Sequence, residues 1–308
     1  MYIVYTTQLL YAFTNVYRGK RTSNRIVMNI VLVCVGNLQD YIFVNIAQLL
    51  RLGHENIYVL TNAQLLSHFA QYNNETRVKI INVDTLNDTF RYYEKTGLDK
   101  DFRGGFWALA SMRFFYIYEF MDQYNIDDVI HLENDVLVYY NCGELINKLG
   151  KQFVYIPFDS LIRNIASIMY IPSASVFKRI LDNYDYNLND MENFNQIKSK
   201  TNTIRNFPIF PSNNSSNLEI QFVSNNFGKF GCIFDAAAIG QYLGGVDPRN
   251  CAGDTRGFVN ETCVIKYDQF DFIWENMNGI RKPFIIINDM KFPVFNLHIH
   301  HKNLHDFV

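Results

Sequence analysis

The chain has 308 residues, of which 48% are hydrophobic and 19% charged, and this composition excludes an intrinsically disordered protein. The formal net charge is −2, so the chain lacks the basic excess that would hold a nucleic-acid backbone, and we exclude nucleic acid as a partner. The five cysteines form neither a CxxC pair nor a zinc spacing, which is typical of a reducing compartment. We therefore expect a soluble, cytoplasmic protein.

Residues 1–27 are predicted to form an extension ahead of the folded domain. Residues 2–17 are moderately apolar and precede the basic residues Arg18, Lys20 and Arg21, a pattern that leaves a signal-anchor open. However, the stretch contains threonine and asparagine and is shorter than the ~20 apolar residues that span a bilayer. The prediction is therefore against membrane anchoring.

The first half of the chain alternates apolar runs of strand length with helical patterns. Predicted strands cover residues 29–35, 57–60, 78–83 and 129–132. Predicted helices run from a cap at Asp40 to about residue 52, over residues 64–71, and over residues 105–124. Strands separated by helices imply right-handed βαβ units, and hence a Rossmann-like α/β fold with a mostly parallel sheet.

In such a sheet, ligands bind beyond the carboxyl ends of the strands. Gly36 and Asn37 follow the first predicted strand, and Thr61 and Asn62 end the second. These four residues, together with the turn after the fourth strand, are therefore predicted to contact a ligand.

The pattern changes after residue 139. Predicted strands cover residues 153–158 and 167–171, and Ser173 is placed to cap a helix over residues 174–183. Residues 185–217 are rich in Asn, Asp and Ser and show little periodicity, so we predict a long surface loop or insert there. We find no boundary for a second domain, and residues 28–308 are predicted to form one.

The most informative segment is Glu133-Asn134-Asp135, which lies between two apolar runs. Two carboxylates at positions i and i+2 repel each other and lose hydration unless a cation lies between them. Mg²⁺ and Mn²⁺ prefer such oxygen ligands and leave positions open for phosphates. A solvated turn is the competing interpretation, but the place of this turn at a strand end favours a metal site.

A second cluster of polar residues lies near the C-terminus. In an extended segment His298 and His300 would face the same side, and Lys302 follows them. Because histidine is a common metal ligand, we favour a functional site over a polar tail with exposed histidines.

A third segment surrounds Asp235, where a strand-like stretch ends and a helix of small residues is predicted to begin. Asp235 is well placed to be its N-cap. Further on, Gly244 and Gly245 precede Asp247 in a turn that could bring the backbone close to a sugar.

The segment Glu133-Asn134-Asp135 resembles the DxD motif of GT-A glycosyltransferases, with Glu133 in place of the first Asp. The resemblance implies that Asp135 binds Mn²⁺ or Mg²⁺ and that this metal holds the diphosphate of a nucleotide-sugar donor. It implies that Glu133 contacts the ribose, or the metal through water. It also implies a late histidine ligand, here His298 or His300.

The same resemblance assigns further residues to the donor and the acceptor. Lys302 would contact the diphosphate, and Arg113, in the helix before the acidic turn, would reach the donor phosphates or else pair with a core carboxylate. Asp235 would be the base in an inverting enzyme. The remaining assignments are Gly36, Asn37, Thr61 and Asn62 to the donor, and Gly244, Gly245 and Asp247 to the acceptor.

The resulting hypothesis is a metal-dependent glycosyltransferase that uses a nucleotide-sugar donor and a glycan or glycoprotein acceptor. Residues 28–140 would bind the donor and residues 141–308 the acceptor. One alternative is a sugar nucleotidyltransferase, which usually has a glycine-rich, basic loop after the first strand, whereas residues 36–40 contain neither Lys nor Arg. The other is a non-catalytic carbohydrate-binding protein on a degenerate transferase fold, which would be expected to lose the acidic turn or the histidines.

Overall fold

The computed structural model of the protein describes residues 28–102, 104–211, 215–243, 260 and 262–308. The strands are β1 (Asn29–Cys34), β2 (Asn56–Thr61), β3 (Val78–Asn82), β4 (Val129–Leu132), β5 (Val136–Val138), β6 (Val154–Pro157), β7 (Ile168–Ile171), β8 (Ile204–Phe207), β9 (Asp271–Met277), β10 (Ile280–Ile287), β11 (Met290–Pro293) and β12 (Asn296–His298). The α-helices are α1 (Ile42–Arg51), α2 (Tyr92–Lys95), α3 (Phe106–Tyr124), α4 (Ala174–Leu181), α5 (Asp190–Lys200), α6 (Leu218–Val223) and α7 (Phe227–Phe230).

The main sheet has seven strands in the order β3-β2-β1-β4-β7-β6-β8. The pairs β3–β2, β2–β1, β1–β4 and β6–β8 are parallel, and β7 runs antiparallel to both of its neighbours. The prediction of a mixed, mostly parallel sheet flanked by helices is therefore confirmed. Two smaller antiparallel sheets complete the fold, one of β11-β10-β9 and one of β12-β5.

The inner strands of the main sheet are buried on both faces. In β1, Ile30 and Leu32 face one core, which Ile46 of α1 completes, while Val31 faces a second core with Phe114 of α3. Successive side chains of a strand point to opposite faces, so a continuous apolar run is what a doubly covered strand requires. The two cores, one on each face of the sheet, together hold β1, β2 and β4 in place, and the carboxyl ends of these parallel strands lie at one edge.

The prediction of a long surface loop over residues 185–217 is wrong. This stretch forms α5 and β8, and β8 extends the main sheet by pairing with β6. A capping box begins α5, because the Asn189 side chain accepts from the Glu192 N–H at 3.0 Å and the Glu192 carboxylate accepts from the Asn189 N–H at 3.3 Å. The helix was missed because the segment is polar. Its start could have been found from Asn189 and Glu192, which have the spacing of a capping box.

Two local predictions about helix starts have different outcomes. The cap at Asp40 is wrong, since α1 has Tyr41 at its N-cap, without a side-chain hydrogen bond. The cap at Ser173 is confirmed, since its hydroxyl accepts from the Val176 N–H at 3.3 Å. The helix predicted over residues 64–71 is a 3₁₀ helix, Ala63–Tyr72.

Several predictions fall outside the described residues. These are the extension over residues 1–27 and the acceptor-binding Gly244, Gly245 and Asp247. Among the helices that the structure does describe, none is both long enough and apolar enough to cross a membrane.

We expect Asn189→Ala to lower the free energy of unfolding by about 1 kcal/mol, because the first turn of α5 loses its capping bonds. Denaturant unfolding would measure this change. Asn202→Ala is the matched control, because Asn202 is exposed and should change stability by no more than about 0.5 kcal/mol. An Asn189→Ala protein as stable as the control would contradict the capping box.

Candidate functional site

The acidic turn Glu133-Asn134-Asp135 connects β4 to β5, at the edge where the parallel strands end. The middle residue fixes the turn, since the Asn134 side-chain amide donates to the Val33 carbonyl at 2.7 Å and to the Gln39 side chain at 2.5 Å. The Glu133 N–H donates to the Ser167 carbonyl of the neighbouring β7 segment at 2.9 Å. The turn is therefore held from both sides of β4.

A buried asparagine of α1 also holds the acidic turn. The Asn45 side-chain amide lies 3.3, 3.2 and 2.9 Å from the carbonyl oxygens of Glu133, Asn134 and Val136. One helical turn later, Gln48 donates to the Val138 carbonyl at 3.0 Å. Sequence reasoning missed both residues; the available signal was a pair of polar residues three apart within an apolar helix.

The C-terminal strand β12 brings His298 to the same turn. β12 pairs antiparallel with β5, with His298 opposite Val136, and the Ile299 N–H donates to the Asp135 carbonyl at 2.9 Å. His298 and Asp135 are 163 residues apart in the sequence. The predicted meeting of the acidic turn with the C-terminal histidine segment is thus present.

Glu133, Asp135 and His298 form a cluster that could hold a metal ion. The His298 Nε2 atom lies 3.1 Å from Asp135 Oδ2 and 3.6 Å from Glu133 Oε2, and one ligand atom from each residue lies within 4.8 Å of the others. Two carboxylate oxygens and one imidazole nitrogen are a donor set that suits Mn²⁺ and is compatible with Mg²⁺. Lys302 Nζ also bonds to Asp135 Oδ2.

The structure distinguishes the two candidate histidine ligands. His298 belongs to the cluster and His300 does not. The His300 ring instead stacks on that of His298, with centroids 4.4 Å apart and planes 20° apart. Burial, with a further contribution from the charge of His298, lowers the pKa of His300 to about 3, so this imidazole is neutral. Glu133, which was predicted to contact the ribose or the metal through water, is a member of the candidate metal cluster.

Charge holds Asp135 and His298 together. Burial by itself raises the pKa of Asp135, but His298 and Lys302 more than offset it, and that pKa lies well below its usual range. Burial by itself lowers the pKa of His298, but Asp135 more than offsets it, and that pKa is raised. Both directions describe an ionised carboxylate beside a protonated imidazole, and a metal ion would replace the proton on Nε2.

Arg113 of α3 links the cluster to a carboxylate that sequence reasoning missed. Its guanidinium bonds to Glu133 and lies 3.0 Å from Asp190 Oδ2, and only 12% of the Arg113 side chain is exposed. Burial raises the pKa of Asp190, with a further contribution from the charge of Glu133, and Arg113 lowers it only in part. Arg113 therefore pairs with two carboxylates, one of them in the candidate metal cluster. Asp190 is the first residue of α5, directly after the capping asparagine.

The four residues assigned to the donor lie together where β1 and β2 end. The Gly36 N–H donates to the Asn62 side chain at 3.0 Å, and the buried Thr61 hydroxyl donates to the Cys34 carbonyl at 2.6 Å. Gly36 has φ +78°, a conformation that favours glycine. Asn37 is exposed beside them. Gly36, Asn37 and Asn62 thus face the edge, while Thr61 supports the turn from inside.

Asp235 is fully buried, and both of its carboxylate oxygens are occupied. Oδ1 accepts from the N–H groups of Ala238 and Ile239 at 2.7 and 2.8 Å. Oδ2 accepts from the N–H groups of Gly240 and His298 at 3.0 and 2.9 Å. These four bonds argue against the predicted role of Asp235 as the catalytic base, because they leave no lone pair for the proton of an acceptor. The α-helix predicted directly after Asp235 does not form.

The segment that Asp235 organises packs tightly against β12. A Cβ atom on Gly240 would lie 2.2 Å from the His298 carbonyl oxygen, which is closer than any real contact. Gly240 is therefore required for the approach of this segment to the histidine strand. Together with the bond from Asp235 to the His298 N–H, this contact fixes the backbone of the candidate metal ligand.

Comparisons with known proteins add distant likenesses only. No protein-family model and no curated protein matches the sequence. The apo structure of the bifunctional glycosyltransferase WbbM has a TM-score of 0.31 at 14% identity, and the match covers 56% of this chain and 33% of WbbM. A cytidylyltransferase from Leptospira borgpetersenii has a TM-score of 0.36 at 11% identity, over 66% of this chain and 83% of that one. The CTP:phosphocholine cytidylyltransferase LicC from Streptococcus pneumoniae has a TM-score of 0.32 at 10% identity, over 59% of this chain and 90% of that one.

We expect Asp235→Asn to lower the free energy of unfolding by roughly 3 kcal/mol, because the new amide group would face two N–H donors that now bond to a carboxylate oxygen. Mn²⁺ affinity should fall with it, since Asp235 fixes His298. Unfolding and calorimetric titration measure both effects, with the exposed Asp268→Asn as control. An inactive Asp235→Asn enzyme with unchanged stability and Mn²⁺ affinity would restore Asp235 as a catalytic base.

Mn²⁺ binding should weaken as the pH falls through the raised pKa of His298, because a protonated Nε2 cannot ligate a metal. Below that pKa the affinity should drop about tenfold per pH unit. Calorimetric titrations between about pH 5.5 and 8.5 would test this, since they bracket the usual range of histidine. The exposed His68→Gln should keep this dependence, and His298→Gln should abolish it. A flat profile for the unaltered protein would contradict an imidazole ligand.

Proposed function

We propose that the protein is a glycosyltransferase that uses a divalent metal ion, Mn²⁺ or Mg²⁺, to transfer a sugar from a nucleotide-sugar donor to a hydroxyl group of a glycan or glycoprotein. The observation that carries this proposal is the cluster of Glu133, Asp135 and His298 at the carboxyl end of β4, with Lys302 beside it. This edge of a mostly parallel sheet is where ligands bind in such folds.

The residues present fit a metal that binds phosphates. Asp135 and His298 would hold the ion, with Glu133 as the third ligand, and three protein ligands leave positions open for phosphate oxygens. When bound, the ion acts as a Lewis acid that neutralises the charge developing on the departing nucleoside diphosphate. Lys302 adds a positive charge on the same side of Asp135, and Arg113 orients Glu133.

Charge balance favours a sugar nucleotide over a nucleoside triphosphate. The side chains around the ion are three carboxylates (Glu133, Asp135 and Asp190) and two cations (Arg113 and Lys302). With a divalent ion and neutral His298, the group has one net positive charge. The diphosphate of a sugar nucleotide carries about two negative charges and a nucleoside triphosphate about four, and opposite charges should match. The loop after β1 adds no cation, since residues 36–40 contain neither Lys nor Arg.

The other assignments of the proposal are those predicted from the sequence. Gly36, Asn37 and Asn62 would contact the donor from the ends of β1 and β2, and Thr61 would support their turn. Residues 28–140 would then form the donor half and residues 141–308 the acceptor half, with Gly244, Gly245 and Asp247 at the acceptor.

In the transfer, the acceptor oxygen bonds to the anomeric carbon while the bond from this carbon to the diphosphate oxygen breaks. Asp235 is not assigned to the proton of the acceptor, because its lone pairs are used by backbone N–H groups. In a retaining reaction the departing diphosphate oxygen takes the proton of the acceptor hydroxyl, so no such base is needed.

Calorimetric titration with a panel of nucleoside diphosphates, sugar nucleotides and nucleoside triphosphates, first with Mn²⁺ and then with a chelator, tests the proposal. We expect one diphosphate nucleotide and its sugar derivative to bind only with metal. Asp135→Asn should weaken Mn²⁺ binding about 100-fold or more, because a ligand is lost. The exposed Asp182→Asn is the control and should bind as the unaltered protein does.

Two results would overturn the proposal. Binding of none of these nucleotides, with or without metal, would favour the non-catalytic carbohydrate-binding alternative. Release of pyrophosphate from a nucleoside triphosphate in the presence of a sugar phosphate would favour the nucleotidyltransferase alternative.

A further inference from the structure

The ammonium group of Lys302 lies where the candidate metal ion would bind. Lys302 Nζ and His298 Nε2 bond to the same atom, Asp135 Oδ2. An ion held by Asp135 and His298 needs this oxygen and the lone pair of this nitrogen. The ion would therefore place two further positive charges next to an ammonium that already neutralises the carboxylate, and the two cations would repel each other.

The backbone directs Lys302 into this position. Lys302 follows β12 in a turn that its own N–H closes by donating to the Ile299 carbonyl at 3.1 Å. Its φ is +68°, in the left-handed region that residues with a side chain rarely adopt. Such a backbone conformation persists only where the surrounding structure imposes it, and conformations of this kind are common at functional sites.

Lys302 also has room to leave. About a quarter of its side chain, 26%, is exposed, compared with 9% for Asp135. The Tyr41 ring lies near it, with the ring centroid 5.8 Å from Nζ, and the face of an aromatic ring attracts a cation. Tyr41 follows the loop after β1, so a movement toward this ring is a movement toward the proposed donor.

Arg113, the other cation of the site, lacks this freedom. Its guanidinium bonds to Glu133 and Asp190, and its side chain is 12% exposed. Arg113 therefore remains paired with Glu133 and Asp190. Lys302 is paired with Asp135, the carboxylate that would bind the metal ion.

We propose that Lys302 is an exchangeable cation: it neutralises Asp135 in the metal-free protein, and metal binding displaces it toward the diphosphate of the ligand. This inference rests on the proposed function and adds an order of binding to it. The metal binds first, and it creates the diphosphate site both by its own charge and by releasing the lysine. Without metal, Lys302 stays paired with Asp135, and a diphosphate finds no free cation there.

Substitution of Lys302 should change two affinities in opposite directions. In Lys302→Met the competing charge is gone, so Mn²⁺ alone should bind about tenfold more tightly than to the unaltered protein. Inorganic pyrophosphate, which probes the diphosphate site without a nucleotide, should bind the Mn²⁺-saturated variant about tenfold more weakly, because a charge-assisted bond is lost. Calorimetric titration measures both affinities.

Three further variants sharpen this test. Lys302→Gln repeats the loss of charge with a polar side chain, in case Lys302→Met does not fold. Lys302→Arg keeps the charge and should bind Mn²⁺ within about threefold of the unaltered protein. Lys291→Met removes a lysine of β11 that pairs with Glu275 and is not part of the cluster, so it should change neither affinity.

The outcomes separate this inference from the proposed function. Tighter Mn²⁺ binding with weaker pyrophosphate binding in both uncharged variants supports the exchange. If the unaltered protein binds Mn²⁺ but the uncharged variants bind it equally or more weakly, the exchange is overturned and the metal site stands. If the unaltered protein does not bind Mn²⁺, the exchange and the metal-dependent function both fall.

Discussion

The candidate site depends on the pairing of β12 with β5. This short antiparallel contact places His298 opposite the strand that leaves the acidic turn, and it is reinforced by the bond from the Ile299 N–H to the Asp135 carbonyl. The contact is maintained by the buried Asp235, which accepts the His298 N–H. A buried carboxylate is costly unless it is fully hydrogen-bonded, and four backbone N–H groups meet that requirement here. The same hydrogen bonds therefore stabilise this segment and position His298 in the cluster.

Around that contact the site is a row of alternating charges. Lys302, Asp135, His298, Glu133, Arg113 and Asp190 each lie beside a group of opposite sign. Such a row is stable without a ligand because every buried charge has a partner. A divalent ion that entered between Asp135 and His298 would change the partners of the neighbouring charges.

The sequence predicted the elements that local residue patterns specify, and it missed those that depend on residues distant in the chain. The strand predicted over residues 129–132 is β4, because a bounded apolar run specifies a buried strand locally. The helix α5 and strand β8 were missed, because their exposed faces are polar and β8 is set by pairing with β6 rather than by its own pattern. For the same reason Asp190 was missed: its partner Arg113 is 77 residues away, and no local pattern connects them.

By itself the sequence determined the alternating α/β architecture, the acidic turn at a strand end, and the convergence of Gly36, Asn37, Thr61 and Asn62, since these follow from local periodicity and from the geometry of parallel sheets. Only the tertiary structure decided which histidine joins Asp135, that Asp235 accepts from four backbone N–H groups, and that Lys302 bonds to Asp135. Asp135 is 163 residues from His298 and 167 from Lys302, and the bond from the His298 N–H to Asp235 spans 63 residues. The strength of these contacts is set by burial and distance in the folded chain, which residue order alone does not fix.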